Sequence, residues 1–465
     1  MLGVGMGVFM ATLDTSIVNI SLPTLVNDLN TDFSTITWII LSYVLVLTSL
    51  MLGVARLGDM YDKKKLYMIG LGLFTFASLL CGLAPDVYWL IGFRALQGFG
   101  AAMTQALGTA IITEVFPAQE RGRALGIIGT TVSTGIAIGP PLGGLLIGLV
   151  GWRSIFLVNL PVGILAVLVV NRFVPSSTTR PNQRFDAAGA VILFVTLASY
   201  ALGMTLWQQQ GLEAPFTRIL LFAAIIGLIL FLLLETRIRQ PMIDLRLFRN
   251  VLFSLNLLMG FLVFTVMAGM FIMPFFLELV KGYPVQTVGL IMIANPIATG
   301  LIAPLAGSLS DRFGSRGISL VGLIIIVIGC LTVSTLNQNV TALGFILRLI
   351  PIGIGIGMFQ SPNNSAIMGA APRDRLGVAS GLLSLSRTLG QTTGLPMIGA
   401  LFTSLVLAYS GLPTGTDVTT ASPLDLVAGI NGTYRVAALI ISVSLVLAAI
   451  ALWLDNRRKR EVQAL

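Results

Sequence analysis

Runs of about twenty apolar residues recur along almost the whole chain, separated by short polar or charged breaks. A helix needs roughly 20 such residues to cross the hydrocarbon core of a bilayer. We therefore expect an all-α polytopic membrane protein with fourteen membrane spans, numbered here as predicted helices 1 to 14. The runs are 2–25, 35–56, 66–84, 87–113, 122–149, 153–171, 187–208, 217–235, 251–279, 286–310, 317–336, 340–367, 376–409 and 434–454.

The composition excludes several classes of function. Only 10% of the residues are charged, against about a quarter in an average soluble domain. The chain has no histidine, which removes imidazole bases and histidine-ligated metals, and we expect no enzyme activity, no metal and no cofactor. The net charge of +9 has no polar face to cluster on, so we expect no nucleic-acid partner. Cys81 and Cys330 lie in apolar runs and are expected to be structural free thiols.

Lysine and arginine concentrate in the turns after the even-numbered predicted helices and in the C-terminal tail. The turns on the other side carry only Arg153, Arg218, Lys281 and Arg435. Because positive residues stay on the cytoplasmic side, we expect both termini in the cytoplasm and the chain in the bacterial inner (plasma) membrane. Asp14 interrupts the one apolar run that could serve as a cleavable signal peptide.

The two halves of the chain repeat one another. Gly98, Gln105 and Gly144 each have an identical residue 255 positions later, at Gly353, Gln360 and Gly399. We expect an N-terminal six-helix bundle at 1–172 and a C-terminal bundle at 250–455. Between them, 173–249 would hold a linker and two additional transmembrane helices, and 456–465 would be a basic cytoplasmic tail.

Predicted helix 5 combines small residues with prolines. Small residues let helix backbones approach closely, and a proline inside a helix removes a hydrogen bond and bends it. A simple helix-dimer face is the alternative, and the adjoining prolines argue against it. The motif consists of Gly135, Gly139, Pro140, Gly143 and Gly144.

With this motif, the chain resembles the fourteen-spanning drug/proton antiporter family of the major facilitator superfamily over essentially its whole length. Further matching segments are 13–23, 38–43, 55–59, 94–98 and 152–153. The family also has a motif in the loop between predicted helices 2 and 3. Residues 55–62 match this loop motif incompletely, and its repeat at 307–314 is closer to the family pattern. The resemblance implies alternating-access export of amphipathic compounds in exchange for protons. It also implies small substrates, protons and membrane lipids as partners, and a monomer.

Asp14 lies near the middle of predicted helix 1, where an isolated carboxylate costs at least about 2.5–3.5 kcal/mol. We interpret it as a carboxyl that cycles between protonated and ionised forms; the alternative is an acid permanently paired with an arginine. Depths computed from the helix rise place Arg94 of predicted helix 4 level with Asp14. Arg94 is therefore its expected partner, with a fixed structural arginine as the alternative.

Two more arginines, Arg348 and Arg387, fall inside predicted helices without an acid at matching depth. Glu278 is expected at the outer interface. One deep acid against three arginines favours a neutral, anionic or zwitterionic substrate over a dication. A bond from Arg387 to backbone carbonyls or to a lipid phosphate is the alternative. With these two arginines, the candidate cavity residues are Trp38, Tyr43, Gln97, Gln105, Gln360, Asn363 and Asn364.

Four charged residues near cytoplasmic helix starts form a predicted conformational latch. A carboxylate can accept hydrogen bonds from the free N–H groups at a helix N-terminus. The predicted latch residues are Arg56, Asp59, Asp311 and Arg312.

Other functions are compatible with the same scaffold. One is uptake or facilitated diffusion, and another is flipping or export of a lipid or cell-envelope precursor. Without histidine or paired intramembrane carboxylates, a membrane-embedded enzyme is the weakest alternative.

Overall fold

The structure, a computed structural model, describes residues 1–116, 118–176, 186–238, 245–370, 376–413 and 415–463. In these ranges every regular element is helical. The long helices are α1 Leu2–Asp28, α2 Trp38–Met60, α3 Lys63–Gly82, α4 Val87–Val115, α5 Ala118–Val150, α6 Asn159–Phe173, α7 Ala187–Gln210, α8 Pro215–Arg237, α9 Val251–Met267, α10 Ala294–Phe313, α11 Ser315–Val333, α12 Ala342–Ala370, α13 Leu376–Ser410 and α14 Pro423–Gln463.

The helical path after α9 departs from α-helical hydrogen bonding twice. A 3₁₀ turn, Ala268–Phe271, is followed by a short α-helix and then by a π-helical turn, Phe276–Val280. Pro274 lies inside this stretch and has no N–H to continue the helical bonds. A separate helix, Val285–Met292, then precedes α10.

Twelve helices in the described part of the chain are long and apolar enough to cross a membrane. The prediction of fourteen spans is therefore not confirmed. The two predicted spans outside this set correspond to α4 and α5, both of which the structure builds as helices. Polar residues such as Arg94 and Gln97 lower the hydropathy of α4. In α5 the described apolar stretch is Thr134–Val150, and many side chains before it lie outside the described residues.

Several polar breaks in the sequence are helix caps. The carboxylate of Asp86 accepts hydrogen bonds from the backbone N–H groups of Tyr88 and Trp89, at 2.9 and 3.1 Å, at the start of α4. Asp62 accepts from the Lys64 N–H at 2.9 Å at the start of α3. Such caps satisfy backbone donors that have no partner within the helix.

The chain forms two compact units. Unit 1 comprises Met1–Met242, Met273–Leu290 and Pro413–Thr420, and unit 2 comprises Ile243–Ile272, Ile291–Leu412 and Ala421–Leu465. Each unit contains close helix crossings at glycines.

The sequence repeat has a structural counterpart in these crossings. In unit 1, a Cβ at Gly100 of α4 would lie 2.8 Å from the backbone oxygen of Gly70 of α3. In unit 2, a Cβ at Gly355 of α12 would lie 2.7 Å from the backbone oxygen of Gly322 of α11. Gly355 is the repeat of Gly100, so each unit uses glycine at the same kind of crossing to bring two backbones into contact.

Candidate functional site

Asp14 and Arg94 form an ion pair in the core of unit 1. The Arg94 Nη1 donates to Asp14 Oδ2 at 2.6 Å, and both side chains are 0% exposed. Asp14 lies near the middle of α1, and Arg94 lies in the first half of α4. Burial of an ion pair costs less when its remaining polar atoms are also hydrogen-bonded. Here further side chains bond the carboxylate, whereas Arg94 Nη2 is buried without a hydrogen-bond partner among the described residues.

Two amides complete the bonding of the carboxylate. Gln97 Nε2 and Asn159 Nδ2 donate to Asp14 Oδ1 at 3.0 and 2.8 Å. The same amides donate to Ser78 Oγ at 2.6 and 3.3 Å. Asp14, Ser78, Arg94, Gln97 and Asn159 are here called the Asp14 cluster; it joins helices α1, α3, α4 and α6.

The guanidinium of Arg94 is also held by α2. Its Nε donates to the carbonyl oxygen of Ile39 at 3.0 Å, and its plane lies 4.3 Å from the Tyr43 ring centroid. Gly98, one turn later on α4, lets the Tyr43 backbone approach, because a Cβ there would lie 2.5 Å from the Tyr43 carbonyl oxygen. The predicted cavity residue Tyr43 is thus 1% exposed and packs on Arg94, and Gln97 likewise belongs to the Asp14 cluster.

One face of the α5 motif packs on the turn of α1 that carries the buried acid. A Cβ at Gly135 would lie 3.3 Å from the backbone nitrogen of Leu13, and one at Gly143 would lie 3.4 Å from the Ile17 Cα. Gly139 lies between them and faces the same helix. At spacings of four residues these glycines form one helix face. The motif therefore positions α5 directly against the helix that holds Asp14.

The other side of α5 packs on residues 285–290, which belong to the same unit. A Cβ at Gly144 would lie 2.6 Å from the carbonyl oxygen of Val285, and one at Gly289 would meet the carbonyl oxygen of Pro140. Helix α5 thus lies between α1 and residues 285–290, in backbone contact with both.

In unit 2, Arg387 contacts two other helices. Its Nη2 donates to Asn364 Oδ1 of α12 at 2.8 Å, and its guanidinium lies 5.4 Å from the Phe264 ring centroid of α9. All three side chains are half-buried. Asn363, the neighbouring amide, is buried and donates to the carbonyl oxygen of Asn256 at 3.3 Å.

The other intramembrane arginine, Arg348, binds helix ends. Its Nη1 donates to the carbonyl oxygen of Gly344 at 2.9 Å, and its Nε donates to Thr335 Oγ1 at 3.2 Å. Arg348 therefore joins the first turns of α12 to the residues after α11, and the structure does not bring it to Arg387. Trp38, Gln105 and Gln360 are half-buried.

The predicted latch falls largely outside the described side chains. The side chains of Arg56, Asp59 and Asp311 lie outside the described residues, and Arg312 is exposed. The latch therefore stays a prediction.

Glu278 is placed against α1. It lies in the π-helical turn, and its Oε2 accepts from Thr24 Oγ1 at 3.5 Å. Its Oε1 is buried and has no hydrogen-bond partner among the described residues. Sequence reasoning placed this acid at the interface and did not anticipate its contact with α1.

Sequence reasoning also missed Asn159 and Ser78. Each is a small polar residue in an apolar run, and such residues as often bond to their own helix backbone as to another helix. The available signal was that a buried amide needs partners, but the sequence does not say which acid supplies them.

Comparisons with known proteins agree with one another. Residues 4–395 match the sequence profile described as Major Facilitator Superfamily. The riboflavin transporter RibZ of Clostridioides difficile is 34% identical over 95% of this chain and 94% of its own length. The multidrug resistance protein Stp of Mycobacterium tuberculosis is 34% identical over 88% of this chain and 76% of its own length. Among solved structures, a POT family transporter in complex with 5-aminolevulinic acid shares the fold, with a TM-score of 0.69 at 15% identity and coverage of 98% and 96%.

Proposed function

The chain belongs to the Major Facilitator Superfamily, and from this premise we propose that it is a proton-coupled antiporter that exports amphipathic compounds by alternating access. Membership makes it a membrane-embedded transporter of small substrates. A multidrug resistance protein covering most of the chain at 34% identity supports export of drug-like compounds. We further propose that both termini are cytoplasmic and that the carrier is a monomer.

The observation that carries the proposal is the bonding of the buried Asp14 carboxylate. As an anion it accepts from Arg94, Gln97 and Asn159. Protonation removes the charge that compensates Arg94 and turns one carboxyl oxygen from an acceptor into a donor. An uncompensated buried charge is costly. Loading a proton therefore favours a rearrangement of α1 relative to its neighbours, and releasing the proton restores the bonded state.

Helix α5 connects this event to the rest of unit 1. Its glycines contact α1 beside the buried acid on one side and residues 285–290 on the other. A shift of α1 must therefore change the packing of α5, because a glycine interface has no flexible side chains to absorb the movement. We propose that this packing is the step that links proton binding to the opening and closing of the substrate path.

The proton gradient supplies enough energy for this exchange. One charge moving through 100 mV releases about 2.3 kcal/mol, which corresponds to a substrate ratio of roughly fiftyfold at about 1.4 kcal/mol per decade.

We also propose that α4 and α5 cross the membrane, which gives fourteen spans with α7 and α8 as the additional pair. Helix α4 has 29 residues, or about 43 Å at the rise of an α-helix, and its deepest charge is neutralised by Asp14. Its glycine crossing with α3 matches the crossing of α11 with α12, and both of those helices are among the candidate spans.

The test is substrate-dependent proton release in proteoliposomes. The intact protein should release protons when fluorescein or another transported amphiphile is added, and a pH gradient should drive its accumulation. Asp14→Asn should abolish both while retaining substrate binding. Asp28→Asn is the matched control, because Asp28 lies on the same helix and is exposed; it should behave like the intact protein.

Two results contradict the proposal in different ways. Unchanged proton coupling in Asp14→Asn removes Asp14 from its role. Transport by the intact protein that ignores a pH gradient removes antiport itself.

The second candidate function is uptake on the same scaffold. A relative named a riboflavin transporter matches 95% of the chain, so a vitamin-like substrate moving inward is the specific alternative. Counterflow of riboflavin without a pH gradient supports uptake, whereas accumulation that requires an opposing proton gradient supports antiport.

A further inference from the structure

Arg387 is a membrane-embedded cation that makes no ion pair with the described side chains. It lies about 16 Å from the start of α13, given a rise of 1.5 Å per residue. The described ion pairs are Lys63 with Glu114, Arg94 with Asp14, and Arg316 with Asp455. A charged side chain at such a depth faces the bundle interior or a water-filled cavity rather than lipid.

Only one hydrogen bond from the Arg387 guanidinium to the described residues is present, the bond to Asn364. An arginine has five N–H donors in a planar fork, so the described residues use only a small part of its donor capacity. The ring of Phe264 covers one side of the guanidinium at 5.4 Å. All three side chains are half-buried, so each remains partly exposed.

The backbone around this group is closely packed. A Cβ at Gly390 would lie 2.6 Å from the carbonyl oxygen of Phe261 and 2.9 Å from the Phe264 Cβ, so this glycine brings α13 onto α9. Ser386, next to Arg387, donates to the carbonyl oxygen of Leu257 at 2.7 Å. These contacts fix the backbone that carries Arg387, and the guanidinium itself is held by Asn364 and by the ring of Phe264. A fork of donors held in this way binds an anion with less loss of conformational freedom.

We propose that Arg387, Asn364 and Phe264 form an acceptor for the anionic group of the transported amphiphile. A carboxylate or sulfonate supplies two oxygens in a plane, which match the guanidinium fork. Asn364 uses its oxygen on Arg387 and keeps its amino group to donate to the second oxygen. The substrate class is thus an anionic or zwitterionic amphiphile, and the assignment of this site to a substrate rests on the proposed export function.

The experiment compares two dyes that share a xanthene ring and differ in charge. Binding of fluorescein, an anion, and rhodamine 6G, a cation, is measured by fluorescence anisotropy with the purified full chain in phosphatidylcholine nanodiscs. Arg387→Gln should weaken fluorescein binding about tenfold or more, since a charge-assisted hydrogen bond contributes at least about one decade of affinity. Rhodamine 6G binding should stay within about twofold.

Two variants separate charge from geometry and from general effects. Arg387→Lys keeps the charge and loses the fork, so it should recover only part of the fluorescein affinity. Arg435→Gln removes an exposed positive charge from the same unit and should leave both dyes unchanged. If Arg387→Gln weakens the binding of both dyes equally, the result could reflect a general effect on folding. The variant Asn364→Ala then decides. In that variant a selective loss of fluorescein supports the site, and equal losses overturn it.

A lipid phosphate is the other source of an anionic group. Native mass spectrometry of the intact protein and Arg387→Gln, from nanodiscs containing phosphatidylglycerol, measures retained lipid. Loss of that lipid with unchanged fluorescein binding overturns the substrate assignment. Dye binding is measured without a proton gradient, so it does not depend on proton coupling. The proposal of an anion site at Arg387 and the proposal of proton-coupled antiport can therefore fail separately.

Discussion

Asn159 of α6 donates from Nδ2 to the carboxylate of Asp14 on α1 at 2.8 Å, and the two residues are 145 positions apart in sequence. The same amide nitrogen lies 3.3 Å from Ser78 Oγ on α3. Asn159 is therefore the contact that ties the sixth helix to the ion pair. It bonds to the acid without carrying charge, so it positions the carboxylate in its ionised form.

Replacing Asn159 by alanine should lower the free energy of unfolding by about 1–3 kcal/mol, because it leaves a buried acceptor short of one bond. It should also reduce the number of protons exchanged per substrate, since the carboxylate loses part of its orientation. Thermal unfolding in detergent and the proteoliposome assay measure these effects. Asn171→Ala, an exposed asparagine on the same helix, is the control, and equal behaviour of the two variants contradicts the positioning role.

The ion pair itself predicts a non-additive double mutant. Arg94→Met should destabilise the protein by about 3–5 kcal/mol, because it leaves the Asp14 charge buried without compensation. Adding Asp14→Asn removes that charge, so the double variant should recover most of the lost stability. Both variants should lack proton coupling. Chemical unfolding of all four proteins gives the coupling free energy.

Additive losses in that cycle would falsify a tight pair. Arg94→Lys refines the result. A lysine keeps the charge but cannot reach both Asp14 and the Ile39 carbonyl oxygen as Arg94 does, so it should remain less stable than the intact protein.

The Asp14 cluster could be predicted from the sequence only in part. Helix rise and bilayer thickness place Asp14 and Arg94 at equal depth, and the structure places them 2.6 Å apart. Depth is a one-dimensional coordinate, however, and lateral neighbours are set by packing of whole helices. Asn159 and Ser78 carry no signal of their own in an apolar run, so their place in the cluster could not be predicted.

Hydropathy proved a weaker guide to the number of spans. Counting apolar runs predicts fourteen, whereas mean hydropathy selects twelve candidates in the described part of the chain. Helix α4 shows the cause: its polar residues bond to partners on other helices, and a single-sequence scale counts them as if each faced lipid. The same limit applies to Glu278, where a π-helical turn directs the carboxylate toward Thr24.

The α5 motif predicts a steep dependence on side-chain size. A Cβ at Gly139 would collide with the Ser16 side chain, and Ser16 Oγ donates to the Ile136 carbonyl oxygen at 3.0 Å. Gly139→Ala and Gly144→Ala should each cost about 1–3 kcal/mol of stability and lower transport more than substrate binding.

The neighbouring helix α4 offers a control for those glycines. A Cβ at Gly92 would meet nothing within 4 Å, so Gly92→Ala should be neutral or stabilising by up to about 1 kcal/mol. If all three alanine variants behave alike in unfolding and transport, the motif does not act through its close backbone contacts.

Cysteine labelling decides whether α4 crosses the membrane. Leu83 precedes α4 and Val115 ends it, and they are 64% and 44% exposed. If α4 spans the bilayer, Leu83→Cys and Val115→Cys should react with a membrane-impermeant maleimide from opposite sides. The natural Cys81 and Cys330 are both 0% exposed, so the unmutated protein should stay unlabelled until it is unfolded. Intact cells and inside-out vesicles give the two readings.

The fourteen-span arrangement assigns each cysteine to a side. The turn before α4 would face outward and the turn after it would face the cytoplasm with 63–65, because positive residues mark the cytoplasmic side. Cells should therefore label Leu83→Cys alone, and inside-out vesicles Val115→Cys alone. Labelling of both from one side would show that α4 does not cross. In that case α4 would not bring Arg94 to the depth of Asp14 in the bilayer. Their buried ion pair would then have to form without a spanning helix α4. Since the pair is enclosed by α1, α2 and α6, opposite-side labelling is the expected result.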